Sequence, residues 1–412
     1  GNLHMRTSHR TIRKLIREEQ SKITDEQLFS SQQFSAYMTD IVETATKRYR
    51  RRSKVKMHWD PFSNSDVAHT DNRLIHINAA NFLTRSFPTR SLQADSIIGL
   101  AGHEAGHILF TDFTMLQIHM QALEAGSFYP AEPGNLTMLQ SLSLQQIKNY
   151  FEEKDEAVIQ AIRLVTHSLV NTMEDLYIEA RMMDAFPGSF KTGILLNNLR
   201  FSEDIPSVTD EIAEGHHEVF IIINLLIQYA KSGDLNNADG YKGKYLDTLY
   251  ECIPFLDDAA YDEDAKARYQ AANQMLVLLW PYMPSLIEQV REDLKNKTHH
   301  AAQAAEEQLA TPPKTLSGTS KPVPSKTPYN HTPSSEDEER ERLQSALDYE
   351  TGRIALEKTD EISEGDSGGT SYDRNFSGSG YVSQAAEDMQ RIVSQLAEES
   401  AAVSYTHLRA HE

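Results

Sequence analysis

Ile97-Ile98-Gly99-Leu100-Ala101-Gly102-His103-Glu104-Ala105-Gly106-His107-Ile108-Leu109-Phe110 is the stretch on which the fold and the chemistry of this chain turn. It follows Pro88 and the capping candidates Thr89 and Ser91, so a helix starting there is expected to run through the whole stretch. His103 and His107 stand at i and i+4, about 40° apart around a helix, so their imidazoles converge on one point. Neutral imidazole nitrogens suit Zn²⁺. Glu104 is one residue step away and sits beside that point, where it can take a proton from water and pass it to a leaving amine. Gly99, Gly102, Ala105 and Gly106 let other chain approach this helix closely. A glycine inside a helix costs roughly 1 kcal/mol relative to alanine, a cost easier to understand at a crowded functional helix than at an ordinary one.

A catalytic zinc needs a third protein ligand and one open position. The segment Asn171-Thr172-Met173-Glu174-Asp175-Leu176-Tyr177-Ile178-Glu179 stands out because three carboxylates fall on a helix whose opposite face is apolar. Buried and unpaired they would be costly, so they face solvent or bind cations. Glu174 is the preferred ligand. Asp175 and Glu179, which share a face at i and i+4, are the alternatives, and those left over would orient His103 or His107 from behind. His76, in a strand-like run before the motif, is a weaker candidate for a substrate-side role.

Outward from these motifs the pattern is mainly α with a small β-sheet, an α+β arrangement. Residues 1–54 read as an N-terminal helical segment. Val55–Trp59 and Leu74–Asn78 read as strands, with turn-rich sequence between them. A long helix is expected from about Asp155 to Ala185, ending before Pro187-Gly188, and further helices over about 208–231, 243–256 and 262–295, the last kinked or split by Pro281 and Pro284. Residues 55–297 form the expected metal-binding domain. From 298 to 402 the sequence turns Pro/Ser-rich, then acidic and Gly/Ser-rich, and is expected to be a disordered linker with transient helices near 337–357 and 383–400. Residues 403–412 are expected to be a non-native tail, with the native chain continuing into a further domain.

Sixty acidic against forty basic residues give a net charge of −20, which disfavours nucleic acid and anionic lipid as partners. The single cysteine, Cys252, excludes an internal disulfide framework and a cysteine-based metal site. The longest apolar run, Val219 to Ala230, is broken by Asn224 and Gln228 and falls short of the ~18–20 residues that cross a bilayer. The basic N-terminus lacks an apolar segment behind it, so a cytoplasmic location is expected.

The two motifs together resemble the gluzincin class of zinc peptidases, which pair HExxH with a downstream glutamate. The metzincin pattern would need Gly at 110 and His at 113, where this chain has Phe110 and Phe113. The longer wording, His103 to Asp112 followed by Asn171 to Glu174-Asp175 and Ile178-Glu179, is similar to the helical region that precedes a von Willebrand A domain in proteins related to cobalt-chelatase large subunits and nitric-oxide-reductase activators. The resemblance implies a zincin-like fold, Zn²⁺ as cofactor, His103, His107 and Glu174 as ligands, Glu104 as general base, and a peptide or protein substrate. It also implies a second possibility, a non-proteolytic metal-binding adaptor that works with a MoxR-type AAA ATPase.

Overall fold

The computed structural model describes residues 23–310, apart from 64, 72 and 189, together with 392–393 and 395–399. Helices α1 (Asp25–Phe29) and α2 (Gln32–Lys47) come first, α2 capped by the Ser31 hydroxyl, which accepts from the Phe34 N–H. Phe34, Met38, Val42 and Ala45 recur at helical spacing and are all buried, so α2 turns one apolar stripe inward. Opposite lies a three-stranded sheet of β1 (Lys54–His58), β2 (Ala68–Thr70) and β3 (Leu74–Asn78), in spatial order β1-β3-β2. β1 runs parallel to β3 with Val55 opposite Ile75 and Met57 opposite Ile77, and β2 runs antiparallel to β3. Those four apolar side chains are buried, as the period-2 pattern requires. Thr39 Oγ1 ties α2 to β1, accepting from the Val55 N–H at 3.1 Å and donating to its carbonyl at 3.2 Å.

Helix α3 (Phe82–Arg85) leads into α4 (Arg90–Phe110), which Thr89 caps and which carries the HExxH motif. Next come α5 (Phe113–Glu124), α6 (Met138–Glu152) and the 30-residue α7 (Glu156–Ala185), the last capped by Asp155. Helices α8 (Lys191–Glu203), α9 (Val208–Ala213) and α10 (Glu218–Ser232) follow. The remaining helices are α11 (Lys244–Ala260), α12 (Ala265–Leu279), α13 (Pro284–Asn296) and α14 (His300–Gln308). The fold is therefore mainly α with one small sheet. One apolar core joins α2, the sheet and α4, and a larger one joins α7 with α10 to α14. The candidate site lies on the seam where α4 meets α7.

Several expected boundaries shift. Of the segment expected over 1–54 the structure describes residues 23–54, and there the buried face of α2 shares its core with the sheet and with α4. The expected helix over 208–231 is two, α9 and α10, parted at Gly215, whose φ of +72° lies in the left-handed region. Helix α11 runs to Ala260 with Pro254 inside it. The expected break near Pro281 is a 3₁₀ turn, Trp280–Tyr282, between α12 and α13. The expected linker start at 298 is too early. Helix α14 buries Ala301, Ala304 and Ala305 against the larger core, and Leu309 follows them. Residues 392–393 and 395–399 are helical, inside the stretch near 383–400 where a transient helix was expected, and Ile392 and Val393 join the core of α2 and the sheet. The rest of the expected linker and tail, 311–391 and 400–412, lies outside the described residues. Among the described residues no helix is long and apolar enough to cross a membrane.

Candidate metal centre

The glycines of α4 set its neighbours. A Cβ at Gly99 would stand 2.3 Å from the backbone carbon of Gly193, and one at Gly193 would stand 2.2 Å from the Asp95 carbonyl oxygen. Helices α4 and α8 therefore touch backbone to backbone. At Gly106 the neighbours are Met182 and Ile178 of α7, at 2.9 and 3.2 Å from a built Cβ. This contact fixes the rotation of α7, so that the Asp175/Glu179 face turns toward the motif.

His103 and His107 bring their Nε2 atoms to 3.2 Å from each other. Asp175 Oδ1 completes a triangle, 3.2 Å from His107 Nε2 and 3.5 Å from His103 Nε2. Four ligands placed tetrahedrally at ~2.05 Å from a zinc ion are about 3.3 Å apart, so the three edges match a zinc-sized centre. His103, His107 and Asp175 are a group that could hold a metal ion.

The partners behind the rings argue for the same point. His103 Nδ1 is 2.9 Å from Glu179 Oε1, and a carboxylate only accepts, so Nδ1 carries the proton. His107 Nδ1 is 2.9 Å from Thr111 Oγ1, and it is the donor of that pair when the Thr111 hydroxyl donates to Glu174 Oε2, 3.5 Å away. Neutral imidazoles with protonated Nδ1 leave both Nε2 atoms as lone pairs. Two lone pairs and a carboxylate oxygen within 3.5 Å repel one another unless a cation sits between them. Without a metal a proton serves. Burial disfavours the His103 imidazolium, but Asp175 and Glu179 outweigh it and raise its pKa. For Asp175 and Glu179 burial opposes ionisation as well. His103 chiefly, with His107 and Lys231, holds Asp175 below the usual carboxylate range, and Lys231 with His103 does so for Glu179.

The expected third ligand, Glu174, stands outside this group. Glu174 does not reach the imidazole Nε2 atoms; its Oε1 accepts from Arg268 Nε at 2.7 Å in a buried ion pair, both side chains 1% exposed. Arg268 is also held by the Asp262 carbonyl at 2.7 Å and lies 3.9 Å over the Tyr177 ring. Asp175, one of the two alternatives, is the carboxylate that joins His103 and His107 in the group that could hold a metal ion. Glu179, the other, orients His103 and is fixed by Asn198 Nδ2 of α8 at 2.9 Å. Glu174 orients His107 through Thr111. Glu104 is buried at 8% exposure, close enough to raise the His103 pKa by its charge, and it has no hydrogen-bond partner among the described residues. His76 does not stand on a sheet edge. It sits on the central strand β3, stacked on His69 of β2 with ring centres 4.6 Å apart.

Thr111, Asn198, Lys231 and Arg268 were not singled out from the sequence. Thr111 had a local signal, lying four residues beyond His107 at the end of the helix. The other three come from α8, α10 and α12, and no local spacing links them to the motif. No protein-family model, curated protein or solved structure matches this chain.

Proposed function

We propose that the chain is a zinc-dependent peptidase in which His103, His107 and Asp175 hold the metal and Glu104 is the general base. The observation that carries this reading is the triangle of two imidazole Nε2 atoms and Asp175 Oδ1, with edges of 3.2 to 3.5 Å, and the nearby Glu104 carboxylate, which has no hydrogen-bond partner among the described residues. Two nitrogens and one carboxylate oxygen are a donor set that zinc accepts and that leaves a fourth position free. Bound there, zinc would supply Lewis acidity toward water and toward a substrate carbonyl. The protein supplies the rest. Glu179 and Thr111 lock both rings with Nε2 inward, so the metal-facing nitrogens need no tautomer change. Glu104, with no hydrogen-bond partner among the described residues, is available to take a proton on a carboxylate oxygen and return it to the leaving amine.

A peptide-library cleavage assay on the purified protein tests the proposal. Cleavage abolished by Glu104→Gln, with zinc retained, is the expected result. Zinc present at full occupancy with no cleavage of any peptide would overturn it and leave the metal-binding adaptor of a AAA ATPase as the reading to pursue.

A further inference from the structure

One stretch of this acidic chain is strongly basic. Between Glu43 and Asp60 the sequence holds no carboxylate, and Arg50, Arg51, Arg52, Lys54 and Lys56 fall inside that stretch, all of them exposed. Lys54 and Lys56 stand on the outer face of β1, since Val55 and Met57 alternate with them and are buried. The Lys54 N–H donates to the Arg73 carbonyl at 3.2 Å, which brings another exposed cation beside them. Elsewhere on the surface Lys148 pairs with Glu132, Arg163 with Glu124 and Arg291 with Asp155. Among the described residues no carboxylate, hydrogen-bond acceptor or ring partners the side chains of Arg50, Arg51, Arg52, Lys54, Lys56 or Arg73. Asp71, an acid close by in sequence, already accepts from the Leu74 N–H and pairs with His76. A helix C-terminus attracts cations, which accounts for Lys47 and Arg48 at the end of α2 but not for the basic residues beyond it.

We propose that this basic face docks an acidic segment of a partner protein, a run of Asp and Glu residues in extended form. Lys54 and Lys56 lie about 6.6 Å apart along β1, the spacing of side chains i and i+2 in an extended peptide. Guanidinium groups at Arg50, Arg51 and Arg52 match carboxylates in a paired geometry. The partner is not added as a further strand at Val55, whose N–H and carbonyl are both taken by Thr39 Oγ1. Recognition therefore falls to side-chain charge. A nucleic acid fits less well on two counts. A long polyanion would meet the rest of a chain of net charge −20, and the aromatic ring of this stretch, Tyr49, is packed edge-on against Phe110 and Phe186 and offers no stacking platform. An anionic membrane would need an apolar anchor beside the cations, and residues 50–56 expose no apolar side chain. The inference stands apart from the zinc reading, because none of these cations belongs to the triangle. Arg48, which donates to the Ala185 carbonyl at 3.2 Å, and Tyr49 root the run on the C-terminal ends of α7 and α4, so a docked protein is held against the two helices that carry the triangle.

Isothermal titration calorimetry on the full chain tests this, with capped hexaglutamate and hexaglutamine peptides as probes. The parent protein is expected to bind hexaglutamate at least about ten-fold more tightly than hexaglutamine, and to lose most of that preference between about 25 and about 250 mM NaCl. The triple variant Arg51→Gln/Arg52→Gln/Lys54→Gln is expected to lose the preference, and Arg51→Gln/Arg52→Gln, which leaves β1 untouched, to lose part of it. A control triple, Lys242→Gln/Lys266→Gln/Lys295→Gln, removes the same charge from exposed positions elsewhere and is expected to bind as the parent does. Circular dichroism checks that each variant is folded. Equal binding of the two peptides by the parent would overturn the inference. An equal loss in both triple variants would overturn it too, because net charge alone would then explain the binding. Oligothymidylate or phosphatidylserine vesicles bound more tightly than hexaglutamate, and released by the Arg51/Arg52/Lys54 variant, would make the face a phosphate-binding surface and overturn the acidic-protein assignment.

Discussion

Replacing Arg268 by Met is expected to be among the most damaging single changes in the molecule that leave the His103–His107–Asp175 triangle itself intact. Arg268 and Glu174 meet at 2.7 Å with both side chains 1% exposed, so neither charge has water to fall back on. Removing one partner of a buried pair strands the other and costs about 3–5 kcal/mol. Arg268→Met also gives up the bond to the Asp262 carbonyl and the stacking over Tyr177, each worth about 1 kcal/mol or more. A loss near 5 kcal/mol is a large part of the roughly 5–15 kcal/mol that holds a domain folded. Glu174→Leu alone is expected to cost about 3–5 kcal/mol by the same reasoning. The double variant removes both charges, and its loss is expected to be several kcal/mol smaller than the sum of the single losses. Urea titrations of parent, both single variants and the double variant, followed by circular dichroism, give the cycle. Single losses below about 1 kcal/mol, or an additive double variant, would refute the buried pair and reopen Glu174 as a metal ligand.

Three further outcomes follow from the same geometry. Gly99→Ala puts a methyl 2.3 Å from the backbone of Gly193, which cannot yield as a side chain would; melting temperatures should show a loss beyond the ~1–3 kcal/mol of ordinary overpacking. Asn198→Ala frees one oxygen of Glu179 and is expected to weaken zinc binding about 10- to 100-fold in competition with a chelator, with the fold intact. Glu211 is fully buried, and burial raises its carboxyl pKa from 4.5 to about 8 in spite of the hydrogen bond that Asn224 donates to it. The folded state therefore keeps this proton between pH 4.5 and about 8 while the unfolded state loses it, so stability falls by up to ~1.4 kcal/mol per pH unit as pH rises through that window. Melting curves from pH 5 to 8 should show Glu211→Gln gaining on the parent protein as pH rises, and parallel curves would refute the buried proton.

Much of this arrangement was legible in the chain. The HExxH helix and the long α7 begin close to where they were expected, near Thr89 and Asp155, and each of those residues caps its helix, because a capping side chain and an apolar stripe are local signals. The glycines of α4 foretold close approach, though not that Gly193 would be the other half of the crossing. Strand β2 escaped notice because three residues in turn-rich sequence carry too little periodicity. The alanine-rich α14 has little apolar bulk, and the Pro/Ser-rich sequence beyond it masked a helix that packs. The choice among Glu174, Asp175 and Glu179 turned on helix phase. The sequence showed that Asp175 and Glu179 share a face and that Glu174 lies ~100° away. What it could not show was which face meets the histidines, because that depends on Gly106 against Ile178 and Met182, and on Arg268, 94 residues from Glu174, claiming the third carboxylate.

Zinc stoichiometry in three variants, measured on protein purified without chelator, tests the centre most directly. Glu104→Gln and Glu174→Gln are expected to retain about one zinc per chain, since neither side chain is a ligand, while Asp175→Ala, which removes one corner of the triangle, is expected to retain almost none. Full zinc in Asp175→Ala, or its loss from Glu174→Gln in protein that remains folded, would contradict the account.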